Sequence, residues 1–238
     1  MKSRSRSTFV WRRRVLAGMI LIAVLMAGYF LWFRDSSLVA VDEVEVQGAT
    51  ANQDQIEAAL TQASDGMTTL NVDEEALARS VSGFPTVASI GVDASPPGKL
   101  TVTVNERLPV AQVKVDGESA AVSADGYVLP GFETEGSKLP PLDEDAGVDA
   151  GLLNAEGAAQ AAALGGAPDE LRERITAAEW DPERGGVVIS LEGAPELRFG
   201  DGLRSGQKWE AVVSVLARIE GAPAYVDVSV PDRAVSGG

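Results

Sequence analysis

The chain has no cysteine and no histidine among its 238 residues. Without cysteine there is no disulfide and no zinc–thiolate site, so an exported domain of this size must be held together by hydrophobic cores. Without histidine, the Ser-His-Asp and Cys-His nucleophile systems, His-ligated metals and imidazole-based pH switches are all excluded. Basic residues are scarce over most of the length. Six of the twenty Lys and Arg (Lys2, Arg4, Arg6, Arg12, Arg13, Arg14) fall in the first fourteen residues, and Arg34 is the seventh. From Asp35 onward thirteen basic groups face all 35 acids, a net charge of −22. So acidic a body repels the phosphate backbone that supplies most nucleic-acid affinity, which leaves nucleic acid out as a partner.

Between the two charge regimes lies VLAGMILIAVLMAGYFLWF, residues 15–33, nineteen residues without a charge. As a helix the run would be about 28 Å long, close to the hydrocarbon thickness of a bilayer. Tyr29, Trp32 and Phe33 cluster at its far end, where amphipathic rings favour the interface. A cleaved signal peptide is the competing reading, but the run is longer than a typical h-region and no small-x-small pair follows it: Leu38 precedes Ala40, and Leu25 precedes Ala27. The Lys/Arg excess before the run predicts a cytoplasmic N-terminus and an extracytoplasmic body.

Residues 41–47, VDEVEVQ, read as a short strand closed by Gly48. TANQDQIEAALTQA follows as a helix, with Thr50 and Gln53 spaced as a capping box and Ile56, Ala59, Leu60 and Ala63 on one face. NVDEEALARSV is a second helix, capped by Asn71 or Asp73 and terminated by Gly83 and Pro85. VASIGVDAS and LTVTV are alternating strands around the turn PPGK, with Leu100, Val102 and Val104 pointing one way. Strand, helix, helix, strand, strand packs both helices on one face of a small sheet. After Pro109 the pattern is all-β: VAQVKV, the turn DGES, AAVS, the turn ADG and YVLP form a meander. Residues 131–147 read as loop. LLNAEGAAQAAALGG is a weak helical stretch whose alanines offer little to bury and whose glycines at 157, 165 and 166 weaken it. PDELRER opens as a short helix. ITAAEWD and VVISLE flank the turn PERGG as a hairpin, and PELRFG adds a strand. KWEAVVSVLARIE is the strongest helix, with Trp209, Val212, Val213, Leu216 and Ile219 on one stripe. AYVDVSV closes the fold as a strand, Val226, Val228 and Val230 on one face and Tyr225, Asp227 and Ser229 on the other.

Several stretches carry a family resemblance. VDEVEVQGA, FPTVASIGVDASPPGKLTVTVNERLPVA, SADGYVLPG, and KWEAVVSVL followed by YVDVSVPDRA, in that order behind one apolar run, resemble the FtsQ/DivIB bacterial cell-division proteins. The resemblance implies an α+β chain: a basic cytoplasmic tail (1–14), a single N-terminal transmembrane helix (15–33), a linker (34–40), a POTRA-type β-α-α-β-β module (41–108), a mostly β C-terminal domain with one long helix packed on the sheet (109–230), and a C-terminal tail (231–238). It further implies a non-enzymatic scaffold, single-pass in the cell membrane, enriched at the division septum. Such a scaffold would bind FtsB/DivIC-like and FtsL-like bitopic proteins, and other division proteins through the POTRA face, for septal peptidoglycan synthesis. No cofactor is implied. The alternative is a membrane-anchored POTRA protein assisting polypeptide transport or envelope assembly, which would call for tandem modules and a following barrel.

Candidate sites are few. Glu106 and Arg107 sit at a strand end beside Pro109, with no second acid or base marked near them, so they read as a domain junction and not as catalytic groups. Asp143, Glu144 and Asp145 lack the ligand spacing of a calcium loop. Gly200, Gly202 and Gly206 precede a helix without P-loop spacing. By pattern AYVDVSV is a half-buried strand. As the last strand it would also lie on a sheet edge, a template for strand addition. The resemblance points the same way, so Tyr225, Val226, Asp227, Val228, Ser229 and Val230 are the expected partner-binding residues.

Overall fold

The computed structural model describes residues 6–29, 39–144, 146–218, 221 and 223–237, and in the first helix the side chains from Arg14 on. Contacts divide the chain between Asn105 and Glu106 into two units.

The first unit begins with α1 (Arg6–Gly28), which takes in residues 15–28 of the apolar run. Its large apolar side chains, Leu16, Met19, Ile20, Leu21 and Leu25 among them, are exposed. Among the described residues no helix is long and apolar enough to cross a membrane. The physical reason is that Arg12, Arg13 and Arg14 lie within α1 and leave only residues 15–28 of it apolar, while the far end of the run, with Trp32 and Phe33, lies outside the described residues. So do Lys2, Arg4 and residues 34–38 of the expected linker.

Then come β1 (Glu43–Gln47), α2 (Gln53–Ser64), α3 (Glu74–Val81), β2 (Val87–Ser95) and β3 (Lys99–Glu106). The sheet order is β1-β3-β2, with β1 and β3 parallel and Val44 facing Leu100. The alternation of β3 buries Leu100, Val102 and Val104 against Ile56 and Leu60 of α2 and Leu77 and Val81 of α3, each helix contributing an i, i+4 pair. Asp73 caps α3 by accepting from the Ala76 N–H at 2.9 Å. α2 starts later than the expected Thr50/Gln53 box places it. Asn52 is the cap of α2, in a left-handed conformation (φ 56°), and its carbonyl, not a side chain, takes the Gln55 and Ile56 N–H groups. Gly48 turns the chain out of β1 at φ 81°, and a Cβ there would overlap the Val104 carbonyl. Gly48→Ala is therefore expected to destabilise this module by more than about 1–2 kcal/mol, the cost of a left-handed residue with a side chain alone, because the Val104 carbonyl must also move; thermal unfolding measures the loss.

In the second unit β4 (Pro109–Val115), β5 (Glu118–Ser123) and β6 (Val128–Leu129) form the meander. Its first turn is Asp116–Gly117, both at positive φ (52° and 89°), the geometry of a two-residue hairpin loop. A small hairpin, β7 (Val148–Asp149) and β8 (Leu152–Leu153), precedes α4 (Ala155–Gly165) and α5 (Asp169–Arg172). β9 (Ile175–Asp181), β10 (Gly186–Leu191) and β11 (Glu196–Gly200) follow, then α6 (Ser205–Leu216), β12 (Tyr225–Asp227) and β13 (Val235–Gly237). The larger sheet runs β13-β12-β11-β10-β9. Residues 140–142, expected to be loop, stitch it to the meander. Leu142 N–H donates to the Gln112 carbonyl at 2.9 Å, Gln112 N–H to the Pro140 carbonyl at 3.0 Å, and Leu142 also bridges Ala178 of β9. The Asp143 carboxylate clamps this crossing by accepting from the Trp180 N–H and from Gln160 Nε2. Asp143 is thus a structural acceptor, and Asp145 lies outside the described residues.

The weak helical stretch is the buried one. Ala161 and Ala163 of α4 have no exposed surface, and a Cβ on Gly165 would overlap that of Ala124. Small residues let α4 approach closely enough to bury backbone, which matters more here than side-chain bulk. On α6, Trp209 and Val212 are buried but Val213 is exposed, so the stripe turns toward Lys208 and away from the expected Val213. Ile219 lies outside the described residues. Trp209 packs its ring 4.9 Å from that of Phe199 and donates Nε1–H to the Ala163 carbonyl at 2.8 Å, joining α6, β11 and α4 in one core.

Candidate partner-binding end of the β sheet

The expected binding strand does not lie on the edge. β12 pairs in parallel with β11 (Leu197 facing Val226) and antiparallel with β13 (Val226 facing Ser236). The expected tail thus supplies the edge strand, because residues 231–233 form a short 3₁₀ turn that returns the chain antiparallel onto β12. The structure also separates the six residues. Val226 and Val228 are fully buried in the core, and the Val228 N–H donates to the Arg198 carbonyl at 2.9 Å. The Ser229 N–H instead donates to the Asp227 carboxylate at 2.9 Å. Tyr225 and Asp227 are half-buried, while Ser229 and Val230 are exposed.

Leu197 and Phe199 are buried in the core, so Glu196 and Arg198, alternating with them, face the other side of the sheet with Tyr225 and Asp227. There the Arg198 guanidinium stacks 3.8 Å from the centroid of the Tyr225 ring. Glu196 accepts from Arg198 at 3.0 Å and lies 3.5 Å from Arg184, which also reaches Asp181 at 3.2 Å. The chain of charges ends on an aromatic face, which orients Tyr225. Arg184, Glu196 and Arg198 were not singled out by sequence reasoning. The alternation of PELRFG put two of them on an outer face, but only the register with β12 brings them to Tyr225. From residue 184 onward six basic groups meet seven acids, so this end is nearly neutral in a body whose net charge is −22.

The expected junction residues are spread over two elements. Glu106 ends β3, and Pro109 begins β4 opposite Ser123. Arg107 Nε bonds Asp125 at 2.7 Å, and its guanidinium lies 3.8 Å from the Tyr127 ring centroid. Ser123 Oγ donates to the other Asp125 oxygen at 2.6 Å and accepts from the Tyr127 N–H. Burial works to raise the Asp125 pKa, but the Ser123 hydroxyl and the Arg107 guanidinium outweigh it and hold the carboxyl below its ordinary range. This builds the SADGY turn. Among the described residues no group of three or more acidic side chains is placed to hold a metal.

A helix-covered three-stranded module followed by a sheet-rich unit ending in a short strand defines a POTRA-containing, two-unit protein. Residues 39–107 match the family described as POTRA domain, FtsQ-type. The chain is also 24% identical over 212 residues to the cell division protein FtsQ of Corynebacterium glutamicum, a match covering 86% of this chain and 90% of that protein. The FtsQ/DivIB resemblance is borne out: the POTRA module is of FtsQ type, and the likeness to an FtsQ continues through the β unit.

Proposed function

We propose that this protein is a non-enzymatic, single-pass scaffold of the bacterial division machinery. The observation that carries the reading is the FtsQ-type POTRA module at residues 39–107, within a likeness to an FtsQ that covers most of the chain. Residues 15–33 anchor it, with the N-terminus cytoplasmic. The exposed apolar side chains along α1 support this, since a helix apolar all round has no stable place in water. A reporter active only outside the membrane is expected to work when fused after Gly238 and to fail within residues 1–12; opposite results overturn the orientation. A fluorescent fusion is expected to form midcell rings, and a uniform envelope signal would count against a division role.

Its partners are FtsB/DivIC-like and FtsL-like bitopic proteins, taken at the β12 end of the sheet by main-chain pairing, with other division proteins on the POTRA face. Tyr225, Asp227 and Ser229 contribute side chains there. Val226 and Val228 seat the strand, because their side chains are in the core and the Val228 N–H is bonded to β11. Val230 is exposed beside them. The near neutrality of this end favours approach of a partner to an otherwise acidic body. Tyr225→Ala is expected to weaken capture of the partner pair about tenfold, the usual scale for an aromatic anchor. Unchanged capture by a folded variant would remove Tyr225 from the interface.

A further inference from the structure

β13 takes up the backbone groups that a docking strand would use. The Val228 N–H faces β11, so by the alternation of a strand the Tyr225 and Asp227 amides face β13. β13 is three residues long and contributes no buried side chain: Val235 and Ser236 are exposed. Gly237 passes so close to Tyr225 that a Cβ would sit 2.6 Å from the phenol oxygen. The segment leading into it is held by the Arg233 N–H to the Val230 carbonyl and by a 3.9 Å ion pair, Arg204–Asp232, between two exposed side chains. Such a strand closes the ladder, with the Ala224 N–H donating to the Gly237 carbonyl at 2.9 Å, and covers an aromatic side chain. Yet none of its own side chains belongs to the core, which the segment touches only through the partly buried Ala234 before it.

We propose that β13 is an intramolecular stand-in for the partner strand, seated on β12 in the free protein and displaced when an extended partner segment docks. This rests on the reading of the β12 end as the docking site. It explains a glycine at 237, since any side chain there would push the strand off the Tyr225 phenol. A three-residue edge strand also blunts edge-to-edge pairing with other chains. A strap seated nine times in ten lowers the apparent affinity for a competing strand about tenfold.

The test uses the full chain in detergent, the variant Gly237→Val, and a chain ending at Ala234. Amide exchange is read first. Tyr225 and Asp227 are expected to exchange at least about tenfold faster than Val228 in the intact chain, because β13 opens locally while β11–β12 pairing persists. Equal protection overturns the proposal, since β13 would then leave only with global unfolding. A synthetic peptide of residues 231–238 is then added at millimolar concentration to the shortened chain. Restored protection at Tyr225 and Asp227 is expected, and no restoration overturns the proposal. Finally, capture of the FtsB/DivIC-like and FtsL-like pair is compared among the three chains. Both variants are expected to bind about tenfold tighter than the intact chain. Equal binding by all three means the partner does not replace β13, which overturns the strap and leaves the docking end standing. If no chain captures the pair, the docking reading fails and the strap's role falls with it. Gly237→Val keeps the full length should the shortened chain fail to fold.

Discussion

Val228→Pro is expected to destabilise the β unit by about 3 kcal/mol or more, and Ser229→Pro by less than about 1 kcal/mol, although the two positions are adjacent. Proline removes an amide hydrogen and its ring crowds the preceding residue, so its cost depends on where that hydrogen points. At Val228 it points to the Arg198 carbonyl, inside the sheet, and the residue is fully buried. Proline there breaks the β11–β12 ladder and leaves the Arg198 carbonyl without its donor. At Ser229 the hydrogen serves only the Asp227 carboxylate, on an exposed residue that water also reaches. Thermal unfolding of the two variants separates these cases. A large loss at Ser229 with little at Val228 would mean that β12 pairs with its neighbours in the opposite sense.

Lys208→Met is the second substitution with a large expected effect, a loss of about 2–3 kcal/mol. Lys208 is almost fully buried, and its ammonium donates to the Phe199 carbonyl and the Asp201 carbonyl, each at 2.8 Å, and to the Asp201 carboxylate. Methionine fills the same volume and supplies none of these bonds. The Asp201 carboxylate, on a largely exposed side chain, would turn to water, but the Phe199 carbonyl would stay buried and unsatisfied. The geometry at stake is the turn from β11 into α6. Arg204, the helix cap, is left-handed there and makes no side-chain cap bond, so the lysine holds the turn from within. Losing it also loosens the contact of Trp209, the next residue on α6, with Phe199, whose carbonyl Lys208 holds.

This site also titrates. The bond from Lys208, aided by its charge and opposed by burial, holds the Asp201 carboxyl below its ordinary pKa. A folded-state pKa lowered in this way adds stability above the ordinary carboxylate range, and that stability is lost as pH falls through the lowered value. Wild-type stability should therefore decline on acidification below about pH 4, where carboxylates of unfolded chains take up protons. In Lys208→Met this contribution is gone, so the gap between the two proteins is expected to narrow at low pH. A gap constant down to acid unfolding would show that the carboxylate contributes nothing beyond the two carbonyls.

Much of the fold is written in local pattern. The apolar alternation of Leu100, Val102 and Val104, the i, i+4 pairs of α2 and α3, the Asp116–Gly117 turn and the β9–β10 hairpin each follow from interactions within a few residues. These carry the POTRA order and the α+β class. The binding end was legible only as a strand. Its alternation put Val226 and Val228 on the core face, because side-chain direction follows the pleat, but not Val230, which lies beyond the end of β12 and is exposed.

What that strand pairs with was not so fixed. Val235–Gly237 has no apolar alternation and contains glycine, so nothing local marks it as β. It becomes a strand because β12 offers a row of unpaired amides at the reach of a single 3₁₀ turn. Residues 140–142 became part of the sheet for the same reason, and the alanines and glycines of α4 proved buried because close approach needs a facing surface that no helical pattern reveals. Lys208 reads as a solvated charge until two backbone carbonyls and a carboxylate converge on it. The sequence by itself determined which faces are apolar, where the chain turns, and how charge is divided between the tail and the body. The tertiary structure alone decided which backbone groups are satisfied and which polar side chains are buried, since hydrogen-bond partners and facing surfaces come from segments far apart in the chain.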